Sequence, residues 1–128
     1  MNKTKNCRNT IQKQLIFEAV YALQNHPSAD EIYEQVVKSA PNISKATVYR
    51  NLSLMSESGE VLKIAVPNAS DRFDFNTMPH YHMLCTGCGR IFDVRTDAFD
   101  IMEKISAGEE LVITGYTLIF EGKCSCCR

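Results

Sequence analysis

Apolar residues recur every three or four positions between residues 10 and 23, the spacing that places them on one face of an α-helix. These positions are Ile11, Leu15, Ile16, Ala19, Val20 and Leu23. His26-Pro27 then interrupts the pattern. Ser28-Ala29-Asp30-Glu31 is typical of a capping box, because Ser28 accepts from the third helical N–H while Glu31 reaches back. The pattern therefore predicts one helix that ends near residue 23 and a second that begins after Ser28.

The second and third helices are separated by Pro41, which stops the second, and by Ser44, the predicted N-cap of the third. Their inward positions are Ile32, Val36 and Val37 in the second helix and Val48, Leu52 and Met55 in the third. Gly59 is a natural terminator of the third helix. Two helices joined by so short a turn predict a helix-turn-helix.

A predicted β-hairpin follows the third helix. Residues 61–66 are β-branched and apolar, residues 67–70 form a turn cluster, and residues 72–75 return as a second strand. Three helices and a hairpin describe a winged helix. The alternative is an ordinary small helical domain whose surface happens to be polar.

The outward face of the third helix carries side chains that reach base edges and phosphates. They are Lys45, Thr47, Tyr49, Arg50 and Asn51. Tyr49 and Arg50 are the expected base-edge contacts, and Lys45 is the expected phosphate contact. This face predicts a DNA-binding helix.

The second half of the chain changes to strand-like patterning. Residues 83–85, 91–94 and 118–120 read as strands, and residues 98–105 read as a helix with Phe99, Met102 and Ile105 on one face. The class is therefore α+β.

Composition and charge narrow the class of protein. No run of the 128 residues approaches the roughly 18–20 apolar residues of a membrane helix, and residues 1–8 lack the apolar core of a signal peptide. We therefore expect a cytoplasmic protein without a membrane partner. Residues 1–66 hold eight basic and six acidic side chains, whereas residues 67–128 hold six and nine. A mildly basic first half suits nucleic acid.

Six cysteines without a secretory signal favour metal or redox chemistry over a disulfide scaffold. Cys85 and Cys88 form one C-x-x-C pair, and Cys124 and Cys127 form another. Two such pairs are the usual way to build a tetrahedral zinc site, because each short loop points two sulfur atoms at one ion. Cys126 leaves two other pairings open, with Cys124 or with Cys127. Free or redox-active thiols are the alternative to structural zinc.

A second candidate site uses nitrogen and oxygen donors. His80 and His82 point the same way in an extended segment, and His26, Asp74 and Asp93 complete the set. Three histidines and two aspartates suit Fe(II) or Mn(II) better than a thiolate-loving metal. The alternatives are a helix-end cap for His26 and surface-facing acids on half-buried strands for Asp74 and Asp93.

Several ordered motifs resemble the ferric uptake regulator superfamily, from about residue 8 to 127. They are Arg8-Asn9-Thr10 with Gln12, His26 to Tyr33, Ile43 to Leu52, Arg72-Phe73-Asp74, His80-Tyr81-His82 and Cys85-x-x-Cys88-Gly89. The resemblance implies a winged-helix DNA-binding domain at residues 1–72, a hinge at 73–79, and a small α/β dimerisation and metal-binding domain with a four-cysteine zinc site at 80–128. It also implies a homodimeric, metal-dependent transcriptional repressor that binds double-stranded operator DNA.

Within the superfamily the chain is most similar to the peroxide-responsive branch. That branch's regulatory site matches His26, Asp74, His80, His82 and Asp93, and the family's structural zinc ligands match Cys85, Cys88, Cys124 and Cys127. Iron-uptake members usually carry Glu at the position of Asp93, and zinc sensors usually place a Cys among the sensory ligands. The chain departs from the family in starting close to Arg8, in carrying Lys13 where Arg is common, and over residues 106–117.

The resemblance implies one structural Zn²⁺ and one regulatory Fe²⁺ or Mn²⁺ per subunit, with peroxide sensed by Fe(II)-catalysed oxidation of a ligand histidine, His26 or His80. A repressor that responds to iron or manganese level is the alternative. No nucleophile–base constellation or phosphate loop appears, so neither an enzyme nor a small organic substrate is expected. A thiol switch at Cys124, Cys126 and Cys127 is a separate hypothesis.

Overall fold

The structure is a computed structural model that describes residues 3–95, 101–105 and 108–128. For residues 3–9, Cys7 among them, it describes the backbone alone. The chain forms two compact units, Met1–Met78 and Pro79–Arg128. Among the described residues, no helix combines the length and apolar character that a membrane crossing needs.

The first unit contains the three predicted helices: α1 (Lys3–Leu23), α2 (Ala29–Val36) and α3 (Lys45–Glu57). Helix α1 begins at Lys3, about two turns before the start that the apolar spacing predicts. The spacing misses these turns because residues 3–9 are almost entirely polar. Both predicted N-caps are present, since Ser28 and Ser44 accept from the backbone N–H groups of Glu31 and Thr47.

One hydrophobic core joins the three helices. Its buried members are Ile16, Ala19, Val20, Ile32, Val36, Ile43, Val48, Leu52, Met55, Val61 and Phe73. The predicted inner faces supply most of this core. The exceptions are Ile11, which is 58% exposed, and Leu15, Leu23 and Val37, which are only partly buried; Val37 lies just after the end of α2 at Val36. The core fixes which face of α3 remains in solvent.

Strands β1 (Leu62–Ile64) and β2 (Arg72–Asp74) pair antiparallel after α3, with Lys63 opposite Phe73. They form the predicted hairpin. Strand β1 is shorter at both ends than the apolar run at residues 61–66 that predicted it. Phe73 points into the helical core, and this contact holds the hairpin against the helices. The predicted winged helix is confirmed.

The second unit contains a three-stranded sheet in the order β4–β3–β5, built from β3 (Tyr81–Cys85), β4 (Ile91–Val94) and β5 (Phe120–Gly122). β4 has the predicted bounds. β5 lies two residues later than the predicted strand at 118–120. Its limits are set by parallel pairing with β3, in which Met83 lies opposite Phe120, and not by its apolar residues. The prediction of an α-helix at 98–105 is wrong over residues 101–104, which form a short 3-10 helix. Residues 98–100, Phe99 included, lie outside the described part of the chain.

Candidate metal centres and nucleic-acid surface

The four cysteines of the two C-x-x-C pairs converge in the second unit. Cys85 is the last residue of β3, and Cys88 follows in the turn before β4. β5 runs parallel to β3 and ends at Gly122, opposite Cys85. Parallel strands end at the same edge of a sheet, so Cys124 and Cys127, just beyond β5, arrive beside Cys85.

The sulfur atoms of Cys85, Cys88, Cys124 and Cys127 all lie within 4.8 Å of one another. Those of Cys88 and Cys124 are 3.9 Å apart. Zinc–sulfur bonds of about 2.3 Å in a tetrahedron place the sulfurs about 3.8 Å apart, so the cluster has the size of a Zn-S4 site. Cys126 is exposed and is not in this group.

The environment of the sulfurs promotes thiolates at one side of the cluster. The backbone N–H of Cys124 donates to Cys85 Sγ at 3.4 Å and is the main cause that lowers the pKa of Cys85 to about 5. Arg90 Nε donates to Cys88 Sγ at 3.5 Å and lowers the pKa of Cys88. A hydrogen bond with Cys124 raises the pKa of Cys127 to about 12. The opposite directions of these pKa shifts show that the crowded sulfurs oppose one another's ionisation, which a cation among them would relieve.

Gly87 leaves room for this geometry. A Cβ added at Gly87 would lie 2.8 Å from Cys127 Cβ and 2.9 Å from Cys127 Sγ. We expect Gly87→Ala to weaken zinc binding about 10- to 100-fold, the range seen when groups supporting a metal site are disturbed. Competition with a chromogenic chelator measures this change.

Gly115→Ala is the matched control, because a Cβ there meets nothing within 4 Å. It should leave zinc affinity unchanged. Equal affinities for the Gly87→Ala and Gly115→Ala proteins would show that the close contact with Cys127 is irrelevant to the site.

The first unit brings together His26 and Asp74, which lie far apart in the sequence. His26 Nε2 is 3.4 Å from Asp74 Oδ2, and both side chains are buried. His26 has a backbone φ of +55°, a left-handed conformation uncommon for a residue with a side chain. Neighbouring contacts must hold this turn in place.

Arg72, which the sequence pattern did not mark as a site residue, supplies those contacts. Its guanidinium donates to the carbonyl oxygen of His26 at 3.2 Å and lies 3.8 Å from the carboxylate of Glu31. The backbone N–H of Phe73 donates to the carbonyl of Pro27 at 2.9 Å. Strand β2 thus carries Asp74 and fixes the loop that presents His26. The Arg72-Phe73-Asp74 motif is the signal that could have pointed to Arg72.

The second unit brings together the other three predicted ligands. His82 lies directly opposite Asp93 in the β3–β4 pairing. Asp93 Oδ1 is 3.3 Å from His80 Nε2 and 3.4 Å from His82 Nε2, and the two imidazole centroids are 4.3 Å apart. His80 directly precedes β3 and His82 lies within it, and their imidazoles face each other as the two-residue spacing predicts.

The donor chemistry of both groups suits a divalent first-row metal. Ligand atoms at adjacent corners of an octahedron with bonds of about 2.1 Å lie about 3 Å apart, close to the separations measured in each group. Imidazole and carboxylate together select borderline to hard ions such as Fe(II) and Mn(II). Each unit therefore holds part of a plausible nitrogen and oxygen ligand set.

The five predicted DNA-contact residues of α3 differ in how far they face solvent. Lys45, Tyr49 and Arg50 are exposed. Thr47 and Asn51 are half-buried: the Thr47 hydroxyl is 2.7 Å from that of Ser44, and the Asn51 amide donates to the Thr47 carbonyl. Lys45, Tyr49 and Arg50 are thus the side chains most available to a duplex.

Comparison with known proteins gives consistent matches. A profile of the ferric uptake regulator family matches residues 4–120. The peroxide-responsive repressor of Staphylococcus epidermidis is 36% identical over 122 residues, covering 94% of this chain and 81% of that protein. The corresponding repressor of Staphylococcus aureus strain USA300 is 35% identical, covering 94% and 82%.

A solved structure extends the likeness to three dimensions. The crystal structure of the Campylobacter jejuni peroxide stress regulator superposes with a TM-score of 0.76 at 28% sequence identity. The match covers 98% of this chain and 95% of that one.

Proposed function

Because the chain belongs to the ferric uptake regulator family, and so is a metal-responsive transcriptional regulator and not an enzyme, we propose that it is a homodimeric repressor that senses peroxide. The observation that carries the proposal is the pairing of His26 with Asp74 in one unit and of His80 and His82 with Asp93 in the other. The similarity to peroxide-responsive repressors gives this ligand set its role.

The proposed metal content is two ions per subunit. Cys85, Cys88, Cys124 and Cys127 hold a structural Zn²⁺, supported by the sulfur separations given above. His26, Asp74, His80, His82 and Asp93 together hold one regulatory Fe²⁺ or Mn²⁺. This set contains no thiolate, which separates it chemically from the zinc site.

The five ligands act as a cross-link between the units. His26 and Asp74 are fixed to the winged helix, through the loop that Arg72 holds and through β2. His82 and Asp93 are paired residues of the sheet of the second unit, and His80 directly precedes β3. Binding by all five would set the separation of the two α3 helices in the dimer to match operator half-sites. A coupling of about 1–3 kcal/mol changes DNA affinity about 5- to 150-fold.

The second unit has the surface expected of a dimerisation domain. Several of its large apolar side chains are exposed, among them Leu111, Val112 and Tyr116. Val112 is 89% exposed and Leu111 and Ile113 beside it are exposed too, and a run of neighbouring exposed apolar side chains is typical of a protein–protein contact. The proposed partner for this segment is a second copy of the chain, and the proposed ligand of the dimer is double-stranded operator DNA.

Bound at this site, Fe(II) would supply the one-electron chemistry that activates peroxide, which Mn(II) would not. His26 and His80 are the proposed targets on the resemblance to the peroxide-responsive branch, since all three imidazoles lie 3.3–3.4 Å from a carboxylate ligand. An oxidised imidazole is a poor donor, so its loss breaks the cross-link and releases DNA.

The test treats Fe(II)-loaded and Mn(II)-loaded protein with hydrogen peroxide and measures operator binding and peptide masses. We expect the Fe(II) form to lose DNA binding and to gain the mass of one oxygen atom on His26 or His80. The Mn(II) form is the control and should keep both its mass and its DNA.

Two results would contradict peroxide sensing. DNA release from the Fe(II) form with unmodified histidines would exclude the histidine mechanism. DNA binding that follows metal concentration but ignores peroxide would identify the alternative, a repressor responsive to iron or manganese level. Zinc lost on peroxide treatment would instead support a thiol switch at Cys124, Cys126 and Cys127.

A further inference from the structure

An acidic side chain lies among the exposed residues of the DNA-contact surface. Asp30, in the first turn of α2, accepts a hydrogen bond from the phenolic O–H of Tyr49 on α3. The ammonium of Lys45, at the start of α3, is 3.5 Å from the same carboxylate oxygen. Asp30 therefore contacts two of the three exposed side chains predicted to touch DNA.

The position of Asp30 calls for a functional explanation. A carboxylate on a surface that faces phosphates is repelled by them, and the Asp30 side chain is 60% exposed. Its exposed ion pair with Lys45 adds little to the stability of the fold. Its place in the first turn of α2 gives Asp30 a favourable interaction with the helix dipole, but that interaction requires neither Tyr49 nor Lys45 and leaves both contacts to be explained.

The contacts of Asp30 have two consequences for the residues it touches. The hydrogen bond fixes the direction of the Tyr49 ring, which otherwise rotates freely on an exposed helix face, and it also raises the pKa of Tyr49. The ion pair offsets the charge of Lys45, whose ammonium is also held 5.6 Å from the ring centroid of Tyr33. One carboxylate thus restrains a base-contact side chain and weakens a phosphate-contact side chain.

We propose that Asp30 is a specificity-determining residue that positions Tyr49 for operator contact and, by pairing with Lys45, lowers the sequence-independent affinity for all DNA. Positioning favours the operator because a pre-ordered side chain loses less freedom on binding. Neutralising Lys45 penalises all DNA alike, so that binding depends more on the contact made by Tyr49. This inference rests on the proposed use of α3 as the reading helix.

Two substitutions separate the two effects. Asp30→Asn removes the charge but keeps an oxygen acceptor for Tyr49. We expect it to bind all DNA more tightly. The slope of log affinity against log salt concentration should become steeper by about 0.9, the value for one further phosphate contact. Asp30→Ala removes the acceptor as well. We expect its ratio of operator to non-operator affinity to fall about 3- to 10-fold, from the freedom that one side chain regains.

The measurement uses Mn(II)-loaded full-length protein, a duplex selected by the wild-type protein from random DNA, and a scrambled duplex of equal composition. An unchanged salt slope in Asp30→Asn, or an unchanged affinity ratio in Asp30→Ala, would overturn the proposal.

Tyr49→Phe keeps the ring but not the hydrogen bond. Adding Asp30→Ala to it should lower the ratio no further, because the two changes remove the same contact.

Two further variants complete the design. Asp71→Ala removes an acid of the same unit that pairs with Lys63 at 3.9 Å, and it should leave the affinity ratio unchanged. A reduced ratio there would assign the effect to charge and not to Tyr49. Tyr49→Ala tests the premise that α3 reads the DNA. If this variant retains operator selectivity, α3 is not the reading helix. If it loses selectivity while Asp30→Ala keeps it, only the proposed role of Asp30 is wrong.

Discussion

Replacement of Cys85 with serine is expected to abolish zinc binding and to unfold the Pro79–Arg128 unit while the Met1–Met78 unit stays folded. The buried side chains of the second unit, among the residues that the structure describes, are few: His82, Cys85, Ile91 and Cys124. A unit of about 50 residues with so small a core depends on a staple. Two are proposed for this unit, the zinc site and the dimer contact, and only the zinc site contains Cys85.

The energetics support a large effect. Structural zinc in small domains contributes roughly 10–16 kcal/mol of apparent binding free energy, which is also folding free energy. Cys85 is completely buried and its sulfur accepts the backbone N–H of Cys124, so serine there loses both a ligand and the link between β3 and the segment after β5. The first unit keeps its own hydrophobic core. Zinc content by mass spectrometry and residue-resolved hydrogen exchange measure the two outcomes.

Cys126→Ser is the matched control, because this exposed thiol lies one residue from Cys127 and outside the cluster. It should keep zinc and the protection of β3. Full zinc occupancy in Cys85→Ser, or loss of zinc in Cys126→Ser, would show that the ligand set is different from the one proposed.

Local sequence features predicted the first unit well, because they act over a few residues. Ser28 and Ser44 cap helices through hydrogen bonds three residues away, and Val48, Leu52 and Met55 share a face by helical spacing alone. The start of α1 was missed for the same reason, since polar residues carry no periodic signal. The wing needed only a turn cluster and two short apolar strands.

Contacts between distant segments could not be predicted from the pattern. The limits of β5 depend on pairing with β3, which no local feature announces. Arg72 reaches the carbonyl of His26 across 46 positions, and Asp30 reaches Tyr49 across 19. The ligand types were readable because histidines are few and the cysteines fall in two C-x-x-C pairs, but their supporting residues are ordinary charged side chains without a distinctive spacing.

Replacement of His82 with alanine is expected to abolish metal-dependent DNA binding while zinc and the fold remain. His82 is only 5% exposed, lies opposite Asp93, and approaches the Asp93 carboxylate to 3.4 Å. Removing a direct ligand should cost more than the roughly 10- to 100-fold in metal affinity typical of supporting groups. The proposed gain in DNA affinity on adding Mn(II), within about 5- to 150-fold, should then vanish.

The result is informative only if loss of metal is separated from loss of fold. Tyr81→Phe, the adjacent change in β3, is the control and should keep the Mn(II) response, because Tyr81 contributes no proposed ligand atom. Zinc content reports whether the sheet edge at Cys85 is intact in both variants. Calorimetry with Mn(II) alone then measures regulatory affinity without DNA. If His82→Ala bound Mn(II) and DNA as the wild type does, the five-ligand cross-link would be wrong, and His80 with Asp93 would have to be assigned another role.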